Sequence, residues 1–179
     1  MLNNKGVRGL VVASAIMALS TTASFAATQG STGGNSTGTL DISVDVNDEV
    51  RISNLSDITG VFDGSSDVVG SSNACVYRNG TGLYNITASG DGAANAFTLS
   101  DGVIATPIPY SVEFNDGTGA TTMSAGVTAA GMVGADQGSD TCATTGNNAT
   151  ISVTVAAADL LPAPASTYVG TLTLVVAPE

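Results

Sequence analysis

Alternation of apolar and polar residues recurs along most of this 179-residue chain and constrains its fold more than any other feature. Clear examples lie at 40–46, 108–114 and 149–155. A strand with one buried face shows this period of two, whereas an amphipathic helix requires a period near 3.6. Turn-forming residues separate the stretches, as at 115–117. The pattern predicts an all-β protein with a single antiparallel, immunoglobulin-like sandwich.

The sequence also predicts a helical turn, a long loop and several further strands. Residues 156–161 are expected to form one helical turn, stopped by the prolines that follow. The long stretch 117–148 is rich in Gly, Ala and Thr and is interpreted as mostly loop, with a short strand at 121–123. Further strands are predicted at 50–52, 75–77, 83–89, 96–99 and 168–176.

The N-terminus has the composition of a secretory signal peptide. Two cations precede an apolar run at 10–19, and Ser24 and Ala26 supply the small residues of a cleavage site between Ala26 and Ala27. Ten apolar residues are about half of what spans a bilayer, which favours a cleaved signal over a membrane anchor. We therefore expect a mature chain, 27–179, that is exported and does not insert into a membrane.

The charge balance excludes several classes of function. The chain has 15 acidic and four basic residues and no histidine, and loss of the two N-terminal cations changes its formal net charge from −11 to −13. Only Arg51 and Arg78 would remain to neutralise phosphates, which argues against nucleic-acid binding. Without histidine, a Ser-His-Asp triad is impossible. We expect no enzymatic activity, no cofactor and no metal site; Asp41 and Asp45 lie on a polar strand face without a calcium-loop motif.

Cys75 and Cys142 are expected to form a disulfide, because an exported chain with an even number of cysteines normally pairs them. Closing a loop of about 67 residues would stabilise the fold by roughly 4 kcal/mol in the chain-entropy model. A metal-binding or catalytic thiol pair is the alternative. It is disfavoured because the chain has neither histidine nor a C-x-x-C motif.

The first alternating stretch has an unusual position in the chain. It follows a Gly/Ser/Thr-rich leader at 27–38, and the polar residues 47–49 separate it from the next strand. Such a strand could leave its own domain and complete the sheet of a neighbour. It could equally be the first strand of a self-contained domain, since alternation does not say whose sheet a strand joins.

Three stretches of the chain carry short motifs: 39–46 followed by 49–55, Pro109–Phe114, and 164–176. These motifs resemble those of the chaperone-usher pilins of the alpha type, the class 5 or colonisation-factor-like fimbrial subunits. The resemblance covers most of the mature chain, although Cys75 and Cys142 depart from the alpha-type pattern. The closing Tyr-x-Gly-x-Leu strand is shared with the spore-coat-U-like secreted subunits.

This resemblance implies a structural subunit of a surface fimbria, exported through the periplasm and polymerised by donor-strand exchange. It implies three partners: identical or related pilin subunits, a periplasmic chaperone and an outer-membrane usher. The regions would be a signal peptide at 1–26, a leader at 27–38, a donor strand at 39–47 and an incomplete sandwich at 48–179. The groove-filling side chains would be Leu40, Ile42, Val44 and Val46. The edge that lines the groove and binds the chaperone would be Tyr168, Gly170, Leu172, Leu174 and Val176.

A secreted adhesin or coat protein that binds without polymerising remains the alternative function. The sequence offers one candidate for such binding, a sugar-binding patch formed by Tyr77, Arg78 and Tyr84, since aromatic faces stack on sugar rings. Two tyrosines in a β domain are more often part of the core or its rim. The chain is also too short for a lectin domain beside a pilin domain, which favours a subunit of the fibre shaft.

Overall fold

The computed structural model describes residues 26–103 and 107–179, which fall into two units, Met1–Asp45 and Val46–Glu179. The predicted signal peptide lies outside the described residues except for Ala26, so it stays a prediction. Within the described ranges, no helix has the length and apolarity needed to cross a bilayer.

A backbone pairing is present among the described residues of the first unit. Thr28 and Thr39 form an antiparallel bridge, with N···O distances of 2.9 and 3.0 Å. Residues 40–45 belong to no helix or strand in the described part of the chain, and all of them are exposed to solvent. The leader at 27–38 and the donor strand at 39–47 therefore stay predictions.

Nearly all of the regular secondary structure in the second unit is antiparallel strand, which confirms the predicted all-β fold class. A five-stranded sheet has the order β1-β2-β9-β6-β7, a three-stranded sheet has the order β10-β3-β8, and β4 pairs with β5. Neither larger sheet closes on itself, as expected for an incomplete sandwich. The elements are β1 Val50–Ser53, β2 Val68–Arg78, β3 Tyr84–Gly90, a 3₁₀ turn Ala93–Asn95, β4 Thr98–Leu99, β5 Ile108–Pro109, β6 Ser111–Asn115, β7 Ala120–Thr122, β8 Thr128–Met132, β9 Ala149–Val155, α1 Ala157–Leu160 and β10 Leu172–Pro178.

Inward-facing residues of the two larger sheets form a single core. In β9 the side chains of Ala149, Ile151 and Val155 are buried, and the alternate residues are partly exposed, as the period of two predicts. The largest fully buried side chains come from both sheets, so the core lies between them. They are Tyr84, Phe114, Ile86, Ile151, Val76, Val112 and Cys75.

The sequence pattern located β1, β9 and α1 closely but missed one whole strand and half of another. β8 is absent from the prediction because its residues, TAAGM, show no alternation. The first half of β2 contains small and polar residues at 70–73 and was missed for the same reason. The stretch 108–114 is divided into β5 and β6 by Tyr110, whose N–H donates to the carbonyl of Phe97.

Side chains hold the loop between β8 and β9 against β2. The Asn148 amide mimics a strand: its Oδ1 accepts from the N–H of Val76, and its Nδ2 donates to the carbonyls of Val76 and Gly134, each at 2.8 Å. Cys75 and Cys142 are joined by a disulfide that fastens the same loop. Both cysteines are buried, so this covalent link belongs to the core.

Asp136 organises the turn within this loop. Its carboxylate accepts hydrogen bonds from the Thr145 hydroxyl and from the N–H groups of Gly138 and Ser139. The Thr145 bond, followed by the Gly138 bond, lowers the pKa of Asp136 and outweighs the opposing effect of burial. The carboxylate form therefore stabilises the folded loop.

Candidate functional site

An apolar groove of about 970 Å³ opens between the two larger sheets. We call it the edge groove, and it lies entirely within the second unit. Among the described residues that line it, Asp57 alone is charged, and the others are apolar or uncharged polar residues. The lining residues are Leu55, Ser56, Asp57, Ile58, Thr59, Gly60, Val61, Phe62, Val68, Gly70, Ser72, Leu99, Tyr110, Ile151, Val153, Val155, Leu160, Ser166, Thr167, Tyr168, Val169, Gly170, Thr171, Leu172 and Leu174.

The groove exists because strand pairing stops on both of its sides. β10 pairs with β3 along one edge, and within the described residues no strand pairs with its other edge. On the opposite sheet, β1 pairs only with 75–78 of β2, and 68–74 of β2 pairs with β9 on the far side. Unpaired strand edges of this kind are templates for another strand.

An irregular segment, 55–62, lies along the free side of β2. The N–H of Ser56 donates to Ser72 Oγ at 2.8 Å. Two glycines allow close contact: a Cβ on Gly70 would lie 2.3 Å from Ile58, and a Cβ on Gly60 would lie 2.3 Å from Val68. The segment is anchored by these few contacts and not by a hydrogen-bonded ladder.

Several apolar residues that line the groove are only half-buried, although they lie on the inner faces of their strands. On β9, Val153 is half-buried between the buried residues Ile151 and Val155. On β10, the inward residues Leu172 and Leu174 are also only half-buried. Large aliphatic side chains left partly in water on an inner sheet face indicate that the sandwich lacks a covering element here.

Of the five residues predicted for the acceptor edge, four lie in the lining of the edge groove, and their predicted role stays a prediction: Tyr168, Gly170, Leu172 and Leu174. Val176 lies farther along β10 and packs against the core. The predicted strand begins later than expected, at Leu172, because the N–H of Thr171 donates to the Asp91 carboxylate. The segment 55–62 and the first half of β2 were not predicted as lining; their paired glycines are the only sequence signal.

The predicted groove-filling residues all have exposed side chains. The exposed fractions are 68% for Leu40, 84% for Ile42, 79% for Val44 and 80% for Val46. Four consecutive alternate positions therefore present large aliphatic groups to water. Stretches of this kind usually mark a site of interaction.

Asn79, just after β2, holds the polar residues 47–49. Its Oδ1 accepts from the N–H of Glu49 at 2.6 Å, and its Nδ2 donates to the carbonyl of Asn47 at 2.6 Å. The Asn79 N–H also donates to the Glu49 carbonyl at 3.1 Å. Asp48, between the two bonded residues, lies 3.6 Å from Arg78 Nη2.

The proposed sugar-binding patch does not form, because two of its three members are buried. Tyr84 is 1% exposed and Arg78 is 5% exposed. Burial, followed by the charge of Asp116, raises the pKa of Tyr84. Arg78 Nη2 donates to the Glu179 carbonyl at 3.3 Å, and its guanidinium lies where a side chain on Gly82 would stand.

Comparisons with known proteins leave the family open. No protein-family model matches the chain, and no curated protein matches it. Among solved structures, one similar chain comes from a structure described as "Chaperone-tip adhesin complex is vital for synergistic activation of CFA/I fimbriae biogenesis". The two chains are 13% identical with a TM-score of 0.49. The match covers 74% of this chain and spans 42% of the other.

Proposed function

We propose that this protein is a structural subunit of a surface fimbria, in which residues 39–47 of one copy, the donor strand, fill the edge groove of the next. The observation that carries the proposal is the open edge of β10 above an apolar, half-exposed lining. An added strand would pair with the main chain of β10 and place alternate side chains in the groove. The proposed role involves no catalysis.

The lengths of the two elements are compatible. Residues 39–46 would extend about 26 Å as a strand, and the seven residues of β10 extend about 23 Å. Four aliphatic side chains would then point to one face. Burying each contributes about 1.5–3 kcal/mol, or roughly 6–12 kcal/mol in all before ordering costs are subtracted.

The donor strand and the edge groove that would accept it are two different surfaces of the same chain. This determines how identical subunits would assemble. A contact between two different surfaces of identical subunits is heterologous and, unless its rotation closes a ring, produces a filament. The sequence resemblance adds two transient partners, a periplasmic chaperone that would cover the groove before assembly and an outer-membrane usher. The formal charge of −13 for the mature chain would limit lateral association of such filaments.

A self-complemented variant tests this proposal. Residues 27–47 are deleted, and residues 39–47 are appended after Glu179 through a short flexible linker, so that they can return along the free edge of β10. We expect a monomer that forms no fibres and melts roughly 10 °C or more above the chain that only lacks 27–47. Calorimetry, size-exclusion chromatography and electron microscopy measure these results.

The matched control carries Ile42→Asp and Val44→Asp within the appended strand. We expect this control to lose the thermal gain, because two carboxylates would enter an apolar groove. If the deleted chain is as stable as the self-complemented one, and the full mature chain forms no fibres, the proposal is wrong. A monomeric adhesin or coat protein would then be the better interpretation.

A further inference from the structure

Asn79 connects the end of β2 to the peptide groups on both sides of Asp48. Gly80, with φ of +79°, turns the chain directly after Asn79, a conformation that glycine adopts without strain. The turn leaves the Asn79 amide facing the backbone of 47–49, where it makes one acceptor and one donor hydrogen bond. An amide can do both at once, whereas an ionised carboxylate can only accept.

The place of this contact matters because it lies away from the edge groove. Arg78 and Glu179 are in contact, so β2 and β10 end at the same end of the sandwich. The groove contacts β2 at 68–72, roughly 20–33 Å back along the strand from Arg78. Asn79 thus binds the segment that leads into the donor strand without lining the groove.

We propose that Asn79 is a positioning residue that sets the direction in which the donor strand leaves its domain, and so the angle between successive subunits. This inference rests on the proposed function. Residues 47–49, which are the last residue of the donor strand and the two that follow it, would act as a flexible joint if nothing held them. Hydrogen bonds at Asn47 and Glu49 restrain two of its peptide groups, and the joint becomes stiff.

The test compares fibres of the full mature chain carrying Asn79→Ala, Asn79→Asp or the control Asn73→Ala. Asn73 is an exposed amide on β2 that accepts a bond from Thr150 and does not contact 47–49. We expect Asn79→Ala to lower the persistence length of the fibres by at least about twofold in electron micrographs. Asn79→Asp keeps the acceptor for the Glu49 N–H and should fall between Asn79→Ala and the wild type.

Capture of a fluorescent peptide with the sequence of residues 39–47 separates positioning from groove binding. We expect all variants to capture this peptide at the wild-type rate, since Asn79 does not line the groove. An unchanged persistence length in Asn79→Ala overturns the inference. The inference is also overturned if Asn79→Ala loses both peptide capture and thermal stability, because Asn79 would then stabilise the folded domain and would not specifically position the donor strand. If wild-type protein forms no fibres and captures no peptide, the proposed function itself fails, and the inference fails with it.

Discussion

Single polar residues determine the conformation of the loops that the sequence pattern left undefined. Asn148 replaces missing backbone partners between β2 and the 133–148 loop, Asp136 does so within that loop, and Asp116 does so for the turn after β6 and for Val133. Burial by itself would raise the pKa of Asp116, but bonds from the Thr118 hydroxyl and the Val133 N–H lower it overall. Short polar side chains such as Asp and Asn can replace backbone partners in loops because they form hydrogen bonds with nearby backbone groups.

Asp136→Asn is expected to make the fold less sensitive to acid. The pKa of Asp136 is lowered by folding, so the unfolded chain binds more protons below its ordinary pKa of about 3.9. The stabilisation is therefore present at neutral pH and is lost as the pH falls through the folded-state value. The Tm difference between wild type and Asp136→Asn should be large near pH 7 and should shrink as the pH falls below the ordinary value of about 3.9.

Asp159→Asn is the control for this pH experiment. It removes the same charge from an exposed position in α1, where the described structure shows no hydrogen bond to the carboxylate. We expect its Tm to follow that of the wild type at every pH. A constant Tm offset for Asp136→Asn between neutral and acidic pH would contradict the role assigned to its ionised form.

At the scale of elements, β10 carries two separate surfaces. Leu172 and Leu174 face the groove, while Thr173 and Val175 face outward and are exposed. Since the groove residues are only half-buried in the free subunit, a polar substitution there should disturb assembly more than folding.

Leu172→Asp is expected to reduce binding of the donor strand by at least about tenfold, because insertion would bury a carboxylate beside apolar side chains. Thr173→Asp places the same charge on the outer face and should leave binding unchanged. Capture of the peptide 39–47 and fibre yield measure both effects. Equal losses in the two variants would mean that β10 is not the edge that accepts the strand.

For the whole molecule, the disulfide links β2 to the longest irregular stretch of the sandwich. The cross-link spans 67 residues of sequence, for which the chain-entropy model gives about 4 kcal/mol. Replacing both cysteines, Cys75→Ala with Cys142→Ala, should lower the Tm by roughly 8–16 °C. Calorimetry on the self-complemented monomer avoids any contribution from assembly.

Reduction of the unmodified monomer provides the comparison. If the Tm of the reduced monomer approaches that of the double variant, the decrease in Tm is due to the loss of the disulfide. If the Tm of the double variant equals that of the unmodified monomer, side-chain contacts alone hold the loop. Asn148 would then be the residue to test next, since it joins the same loop to Val76.

The order of apolar and polar residues predicted those elements whose conformation depends mainly on residues close by in the sequence. The faces of β9 and β10 follow from alternation, and α1 follows from an apolar turn ended by prolines. β8 could not be found this way, because residues such as Thr128 and Ala129 acquire their strand conformation by pairing with β3. Nothing in five small residues encodes that partner.

The sequence alone determined that the sandwich is built of antiparallel strands. It also placed the closing residues Leu172 and Leu174 on one face. Tertiary structure decided which strand edge stays open, that 55–62 borders the groove, that Arg78 is buried and that Asn79 holds the linker. The reason is physical: periodicity records how a strand presents its two faces to solvent, while an edge is defined by partners far away in sequence.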